Sequence, residues 1–350
     1  MQNDASTVSL AHVDPQCAAE SADLVYVSDD GPGITRRRFG KGWAFYSPRG
    51  KKVTDTNVVD RINALAIPPA YSDVWICPLA NGHLQATGRD DRGRKQYRYH
   101  ERWGEVRDQA KFAKLPTFAR ALPKLRRTIK KHMKLKGLPR EKVLAACAML
   151  LDRTFIRVGN ADYATQNGSY GLTTLQDGHA DFTRGAVRLE FTAKHGIERE
   201  VEVRDSALAK IVRQCQELEG QELLQYLDDA GHVRDVGSGD VNAYLRDHCA
   251  SGVTAKDFRT WHASVLAYEE LAGVELAGSA TAINRQVVAA VDAVAEVLGN
   301  TRAVCRKCYV APQVFDAFER GDLADAPKVP ANPRGLRKSE RATLALLERD

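Results

Sequence analysis

The chain has 350 residues, 43% of them apolar and 7% aromatic, which is enough to bury cores in two ordinary domains and excludes a wholly disordered protein. Lys and Arg outnumber Asp and Glu by 51 to 45, a net charge of +6 that by itself hints only weakly at a polyanionic partner. The N-terminal stretch MQNDASTVSLAHVDPQCAAESADLVYVSDD lacks a cationic leader before an apolar run, and no later segment approaches about 18 uninterrupted apolar residues, so neither secretion nor membrane insertion is expected.

Residues 1–21 are small and polar and read as a disordered tail. Over 22–104, short β-rich pieces (LVYVS, WAFYS, DVWICPL, QYRY) alternate with Gly, Pro and Asp, which predicts a small β-rich N-terminal domain. The spacing then changes. LPTFARALPKLRRTIKKHMKLKG and LPREKVLAACAMLLDRTFIRVGN carry apolar residues three and four apart and open a mainly helical domain, 105–325.

A β insertion interrupts the helices at Tyr170–Asp205. In AVRLEFTAKHG, Val187, Leu189, Phe191 and Ala193 alternate with Arg188, Glu190, Thr192 and Lys194, and His195-Gly196 supplies a turn. Lys194 is therefore predicted at a hairpin tip, facing away from the apolar side. Helices resume over Ser206–Glu219, Val241–Cys249, Thr254–Leu271, with a box-like cap from Thr254 and Asp257, and Thr281–Leu298, which Gly299 stops. Residues 326–350 read as a C-terminal tail: a Pro-rich linker followed by a weak amphipathic helix. The fold class is thus α+β.

Nucleotide motifs fail on spacing. In GPGITRRRFGKG, six residues separate Gly33 from Gly40, and Lys41 is followed by Gly42 rather than Ser or Thr. Cys305-x-x-Cys308 lacks the second pair a structural zinc site needs and reads as two helix-face cysteines. The seven cysteines are an odd set without framework spacing, which fits a reducing cytoplasm. No cofactor or metal is expected.

Charge is unevenly spread: Arg89 to Arg140 holds eighteen Lys/Arg against five Asp/Glu. Within it, GRDDRGRKQYRYHERW interleaves Tyr97 and Tyr99 with Arg92, Arg94, Lys95 and Arg98. Cations neutralise phosphates while tyrosine rings pack on sugars or bases, so this pattern points to nucleic acid.

GNTRAVCRKCYV, residues 299–310, supplies a candidate reactive group in Tyr309. A phenol ionises far more readily than an aliphatic hydroxyl, which makes it a plausible nucleophile toward phosphorus. Such an attack expels a sugar alkoxide that needs a proton donor, while charge grows on two non-bridging oxygens that need cationic partners.

With these motifs in place, the sequence resembles the type IB DNA topoisomerases, in particular the compact poxvirus-like enzymes and their bacterial relatives. RTFIRVGN carries the first catalytic arginine of that family on Arg157, and FTAKHG its general-acid lysine on Lys194. KDFRTW carries the second arginine on Arg259, and GNTRAVCRKCY the tyrosine nucleophile on Tyr309. Asn300 stands where many members have histidine, as bacterial relatives do, and its amide still donates to a non-bridging oxygen.

The resemblance implies an ATP-independent enzyme that relaxes supercoiled duplex DNA through a 3′-phosphotyrosyl intermediate, on the catalytic fold shared with tyrosine recombinases. It implies a nucleoid-associated monomer that clamps double-stranded DNA and contacts it through Arg94, Lys95, Gln96, Tyr97 and Tyr99. The alternatives are a tyrosine recombinase, which usually carries histidine where this chain has Lys256, and a DNA-binding protein without catalysis.

Overall fold

In the computed structural model, which describes residues 15–20, 22–40, 42–323 and 334–349, the chain divides after Lys114 into two units. The sequence boundary at 104 falls inside a helix of the first.

The first unit contains α1 (Pro15–Glu20), β1 (Thr35–Phe39), β2 (Gly42–Tyr46), α2 (Thr56–Ala64), β3 (Ser72–Ile76), β4 (Leu84–Arg89), β5 (Lys95–Tyr99) and α3 (Glu101–Ala113). β1 and β2 form an antiparallel hairpin, β3, β4 and β5 an antiparallel sheet, and a bridge between Ile34 and Ile76 joins the two. Ile34, Phe45, Ile62, Ile76 and Ala86 make the core. Asp55 starts α2 by accepting from the Asn57 amide at 2.9 Å.

Two sequence expectations change here. LVYVS is not a strand: Val25 makes one bridge to Gly82, and the Val27 amide donates to Nδ1 of His83 at 3.0 Å, so a side chain replaces the ladder. Of the expected disordered tail, residues 1–14 and 21 lie outside the described residues, but 15–20 form α1, where Ala19 is buried with Leu24 and Trp103. An apolar contact on α3 orders that turn.

The second unit opens with α4 (Leu115–His132), α5 (Arg140–Thr154) and α6 (Ala161–Asn167), followed by the antiparallel sheet β6 (Ala180–Thr183), β7 (Ala186–Ala193) and β8 (Ile197–Arg204). Next come α7 (Ser206–Gln216), the short hairpin β9 (Gln225–Leu227) and β10 (Val233–Asp235), and α8 (Ser238–His248). The chain ends with α9 (Ala255–Ala272), α10 (Ala280–Leu298), α11 (Arg302–Cys308), α12 (Pro312–Glu319) and α13 (Lys338–Leu347).

Helix α9 is the axis of this unit. Phe258, Trp261, Ala263 and Val265 are buried, and the helix packs on α4, α5, α8, α10, α12 and α13. Asp257 accepts from both N and Oγ1 of Thr254, at 2.7 and 3.0 Å, which fixes the first turn. The rings of Phe118 on α4 and Phe258 meet edge to face at 5.0 Å.

A buried ionic cluster ties four helices together. Arg126 of α4 donates to Asp152 of α5 at 2.8 and 3.0 Å and to Glu340 of α13 at 2.7 and 2.9 Å. His262 of α9 lies 2.9 Å from the same Asp152. The described part of 326–350 is therefore not a tail: α13 is docked by Glu340, while residues 326–333 and 350 lie outside the described residues. The reading of a tail ending in a weak amphipathic helix overlooked a carboxylate on its inner face.

Burial opposes the charge on Glu340, yet the Arg126 bond outweighs it and holds the carboxyl at about 2, against 4.5 ordinarily. A depressed folded pKa stabilises the fold above the ordinary value, and that contribution is lost as pH falls from about 4.5 toward 2. Arg126→Met removes the cation shared by two buried carboxylates, leaving Glu340 only Arg337 at 3.1 Å and Asp152 only His262 at 2.9 Å, and should cost about 3–5 kcal/mol in urea unfolding. Glu340→Gln should flatten the loss of stability across the same acid window; an unchanged profile would place the titration elsewhere.

Candidate active site

The end of α5 sets the first side of the site. Phe155 adopts a left-handed backbone, φ 57°, and so turns the chain out of the helix into Ile156, Arg157 and Val158. The Leu172 amide donates to the Arg157 carbonyl at 2.8 Å and the Thr173 amide to that of Val158 at 2.7 Å, so YGLTT braces RTFIRVGN. Gly171 is required there, because a Cβ on it would lie 2.7 Å from the Arg157 carbonyl oxygen.

Arg259, in the second turn of α9, is only 3% exposed. Its Nη1 donates to the Phe155 carbonyl and its Nη2 to that of Leu298, the latter at 3.0 Å. Its Nε is buried without a hydrogen-bond partner. The guanidinium carbon lies 5.0 Å from the centre of the Tyr309 ring.

Gly299, with φ 60°, ends α10, and the Asn300 amide then donates to the Ala295 carbonyl at 3.0 Å. Nη2 of Arg157 donates to Oδ1 of Asn300. Since a guanidinium has no acceptor, this contact orients the amide: oxygen toward Arg157, Nδ2 away. That Nδ2 is buried without a hydrogen-bond partner of good geometry, although the Asn300 side chain lies close enough to Cys305 to favour its thiolate.

Tyr309 closes α11 and is 9% exposed. Ser264 of α9 holds the backbone beyond it: the Ala311 amide donates to Oγ of Ser264 at 2.9 Å. Sequence reasoning missed this serine, which has no signature beyond its place on a buried helix. Arg157 thus contacts Asn300 and Arg259 contacts the Tyr309 ring, all four within one unit.

Lys194 stands apart. It occupies the 3₁₀ turn Lys194–Gly196 between β7 and β8, exposed, with His195 and Gly196 at φ 70° and 71°. The alternation read from the sequence holds along β7, where Val187, Leu189, Phe191 and Ala193 are buried.

Beside Arg157 and Arg259 a small cleft is lined by Ile156, Tyr170, Phe191, Ala193, Leu298 and a third arginine, Arg199 of β8. Sequence reasoning missed Arg199 too. The signal was there: in IEREVEV the inward series is Ile197, Arg199, Val201, Val203, with a cation where the pattern calls for an apolar residue. Burial and then the charge of Arg157 push its pKa down.

In the first unit, Tyr97 and Tyr99 are 48% and 41% exposed, with rings nearly parallel at 6.0 Å. The other three expected DNA contacts are engaged by carboxylates. Arg94 and Gln96 donate to Asp90 at 2.8 and 2.9 Å, and Lys95 pairs with Asp29 at 2.6 Å. The Arg94 bond is the main reason that the Asp90 carboxyl sits at about 2.

Residues 99–320 match the family model for the catalytic core of eukaryotic DNA topoisomerase I, and residues 42–90 that for the N-terminal domain of bacterial DNA topoisomerase IB. The chain belongs to the type IB DNA topoisomerases. It is similar to a DNA topoisomerase 1B of Acanthamoeba polyphaga mimivirus, 29% identical over 294 residues that cover 82% of this chain and 88% of that protein. The DNA topoisomerase I of Monkeypox virus and the DNA topoisomerase 1B of Vaccinia virus (strain Copenhagen) are each 22% identical over 305 residues, covering 81% of this chain and 92% of theirs.

In this topoisomerase the field of the site is one-signed. Burial, and then repulsion from Arg157, lower Arg259 to about 10, while Tyr309 acts the other way; the side chain stays cationic at neutral pH. No carboxylate pairs with Arg157, Arg199 or Arg259 among the described residues. No helix among them is long and apolar enough to cross a membrane.

Gly171→Ala forces the two braced strands of backbone apart and should cost about 1–3 kcal/mol of stability. Thermal unfolding checks it; an unshifted midpoint would mean that the loop carrying Arg157 is not pinned there.

Proposed function

We propose that this type IB DNA topoisomerase uses Tyr309 as the nucleophile that opens one strand of duplex DNA, with Arg157, Arg259, Asn300 and Lys194 completing the site. The unit 115–350 then has the catalytic fold shared by this family and tyrosine recombinases. The observation that carries the reading is the pair of buried donors without a hydrogen-bond partner of good geometry, Nε of Arg259 and Nδ2 of Asn300, in the cluster that contains Tyr309. Buried donors left unmade are costly, and a phosphate oxygen is the partner that relieves them.

The phenol of Tyr309 loses its proton to water as its oxygen attacks phosphorus and the bond to the 5′ oxygen breaks, giving a 3′-phosphotyrosyl enzyme and a 5′-hydroxyl. Arg157, Arg259 and Asn300 hold the non-bridging oxygens, each contributing about 3 kcal/mol to the transition state. Lys194, from its exposed hairpin tip and assisted by Arg157, approaches to protonate the departing oxygen. One phosphodiester replaces another, so resealing by the reverse steps needs no ATP. Between the two steps the duplex beyond the nick rotates and superhelical strain is released.

The protein works on double-stranded DNA in the nucleoid, as a monomer whose two units close around the duplex. Arg94, Lys95 and Gln96 exchange Asp90 and Asp29 for DNA, and Tyr97 and Tyr99 pack on it. Arginines supply the positive charge at the phosphate.

Relaxation of a supercoiled plasmid without ATP and with magnesium chelated is expected. Tyr309→Phe should abolish both relaxation and the covalent adduct while duplex affinity stays nearly unchanged; an adduct persisting in that variant would move the nucleophile elsewhere. Asn300→Asp puts a carboxylate where a donor is needed and should slow cleavage by about 10²–10³-fold, whereas Asn300→His, which retains a donor, should cost less. Undiminished cleavage by the aspartate variant would show that Nδ2 does not meet the phosphate.

A further inference from the structure

Arg199 occupies a position that packing alone does not favour. It lies opposite Phe191 in the β7–β8 register, on the face that buries Leu189, Phe191 and Val203. Its side chain is half-buried and pressed against the end of α10: a Cβ on Gly299 would lie 3.1 Å from its Cδ and 3.2 Å from its Nη1. The one hydrogen bond it makes among the described residues is weak, Nη1 to the Glu296 carbonyl at 3.4 Å. It lines the same cleft as Arg157 and Arg259.

A purely structural role would be to cap the carbonyl end of α10, where a cation is favoured by the helix dipole. One long contact is a poor return for partly desolvating a guanidinium beside two others. Like charges brought together in a medium of low dielectric raise one another's energy, and a shared counter-charge reverses the sign of that interaction. Three guanidiniums around one cleft without a carboxylate match the demand of a phosphate whose charge grows on two oxygens during attack.

We propose that Arg199 is a further catalytic residue of this enzyme, a third guanidinium that binds a non-bridging oxygen of the scissile phosphate. The inference rests on the reading of the cleft as the cleavage site. Arg199 and Lys194 sit on the same hairpin, so one element, β7–β8, carries both the third clamp and the proton donor.

The test is single-turnover cleavage of a duplex oligonucleotide by wild type, Arg199→Met and Arg199→Lys, on an ordinary phosphodiester and on one whose non-bridging oxygen at the cleaved position is replaced by methyl. Wild-type adduct on the ordinary duplex, lost in Tyr309→Phe, first establishes that the site itself is read correctly; its absence would sink that reading independently of Arg199. Arg199→Met should then slow cleavage of the phosphodiester by about 10–10³-fold with duplex affinity and thermal midpoint little changed. On the neutral methyl-substituted duplex its cost should shrink to about threefold or less, and Arg199→Lys should recover part of the rate on the charged one. Equal costs on both duplexes would overturn the proposal and leave Arg199 as a structural cap. So would an unslowed Arg199→Met. Should the methionine variant fail to fold, the same comparison is made with Arg199→Lys, whose loss must likewise depend on the charge of the phosphate.

Discussion

A buried cation without a carboxylate is the constraint on which this site depends. Arg259 is held by backbone carbonyls from two separate segments, Phe155 at the end of α5 and Leu298 at the end of α10, and it faces the ring of Tyr309 from the start of a third. Those carbonyls fix its position but do not neutralise it. The contrast with Arg126 is instructive. Arg126 has two carboxylates, which outweigh its burial and drive its pKa up, whereas burial and Arg157 drive that of Arg259 down. One arginine is satisfied by the fold; the other is left wanting an anion.

Both requirements are met by the same helix. α9 carries Arg259 toward the cleft and, one turn on, His262 toward Asp152, so the saturated ionic cluster locks the element that presents the unsaturated cation. Ser264, further along, fixes the backbone next to Tyr309. The rigid cluster with α13 therefore lies behind the site rather than in it. Preorganisation of this kind lets fixed donors act on a developing charge without rearranging at the moment of reaction.

Much of this was legible in the sequence where local chemistry speaks directly. Alternation along β7 placed Lys194 at a hairpin tip, Gly299 marked the end of α10, and Thr254 with Asp257 marked the start of α9. Partners distant in the chain were not legible. Neither Glu340 nor Asp152 announces that Arg126 joins them, and counting cations over 89–140 treated Arg94, Lys95 and Arg126 as free field although each has a carboxylate. LVYVS has the composition of a strand, but only the fold shows that His83 takes the place of its neighbour. Arg199 was readable in principle, as a cation on an apolar face, yet a single break in alternation gains meaning only once the cleft it enters is known.

Asn300 shows how a neutral group serves among cations. The resemblance sets histidine there in many members, and a charged imidazolium would put another positive group against Arg157, which lines the cleft with Arg199 and Arg259. An amide avoids that repulsion. Its oxygen also offers Arg157 an acceptor, which a protonated histidine could not, and accepting that bond is what turns Nδ2 away from Arg157 as a donor. The amide at position 300 and the role proposed for Arg199 fit one another: on that proposal, positive charge absent from position 300 would come from β8, at the same helix end, from a group that stays charged throughout the physiological pH range.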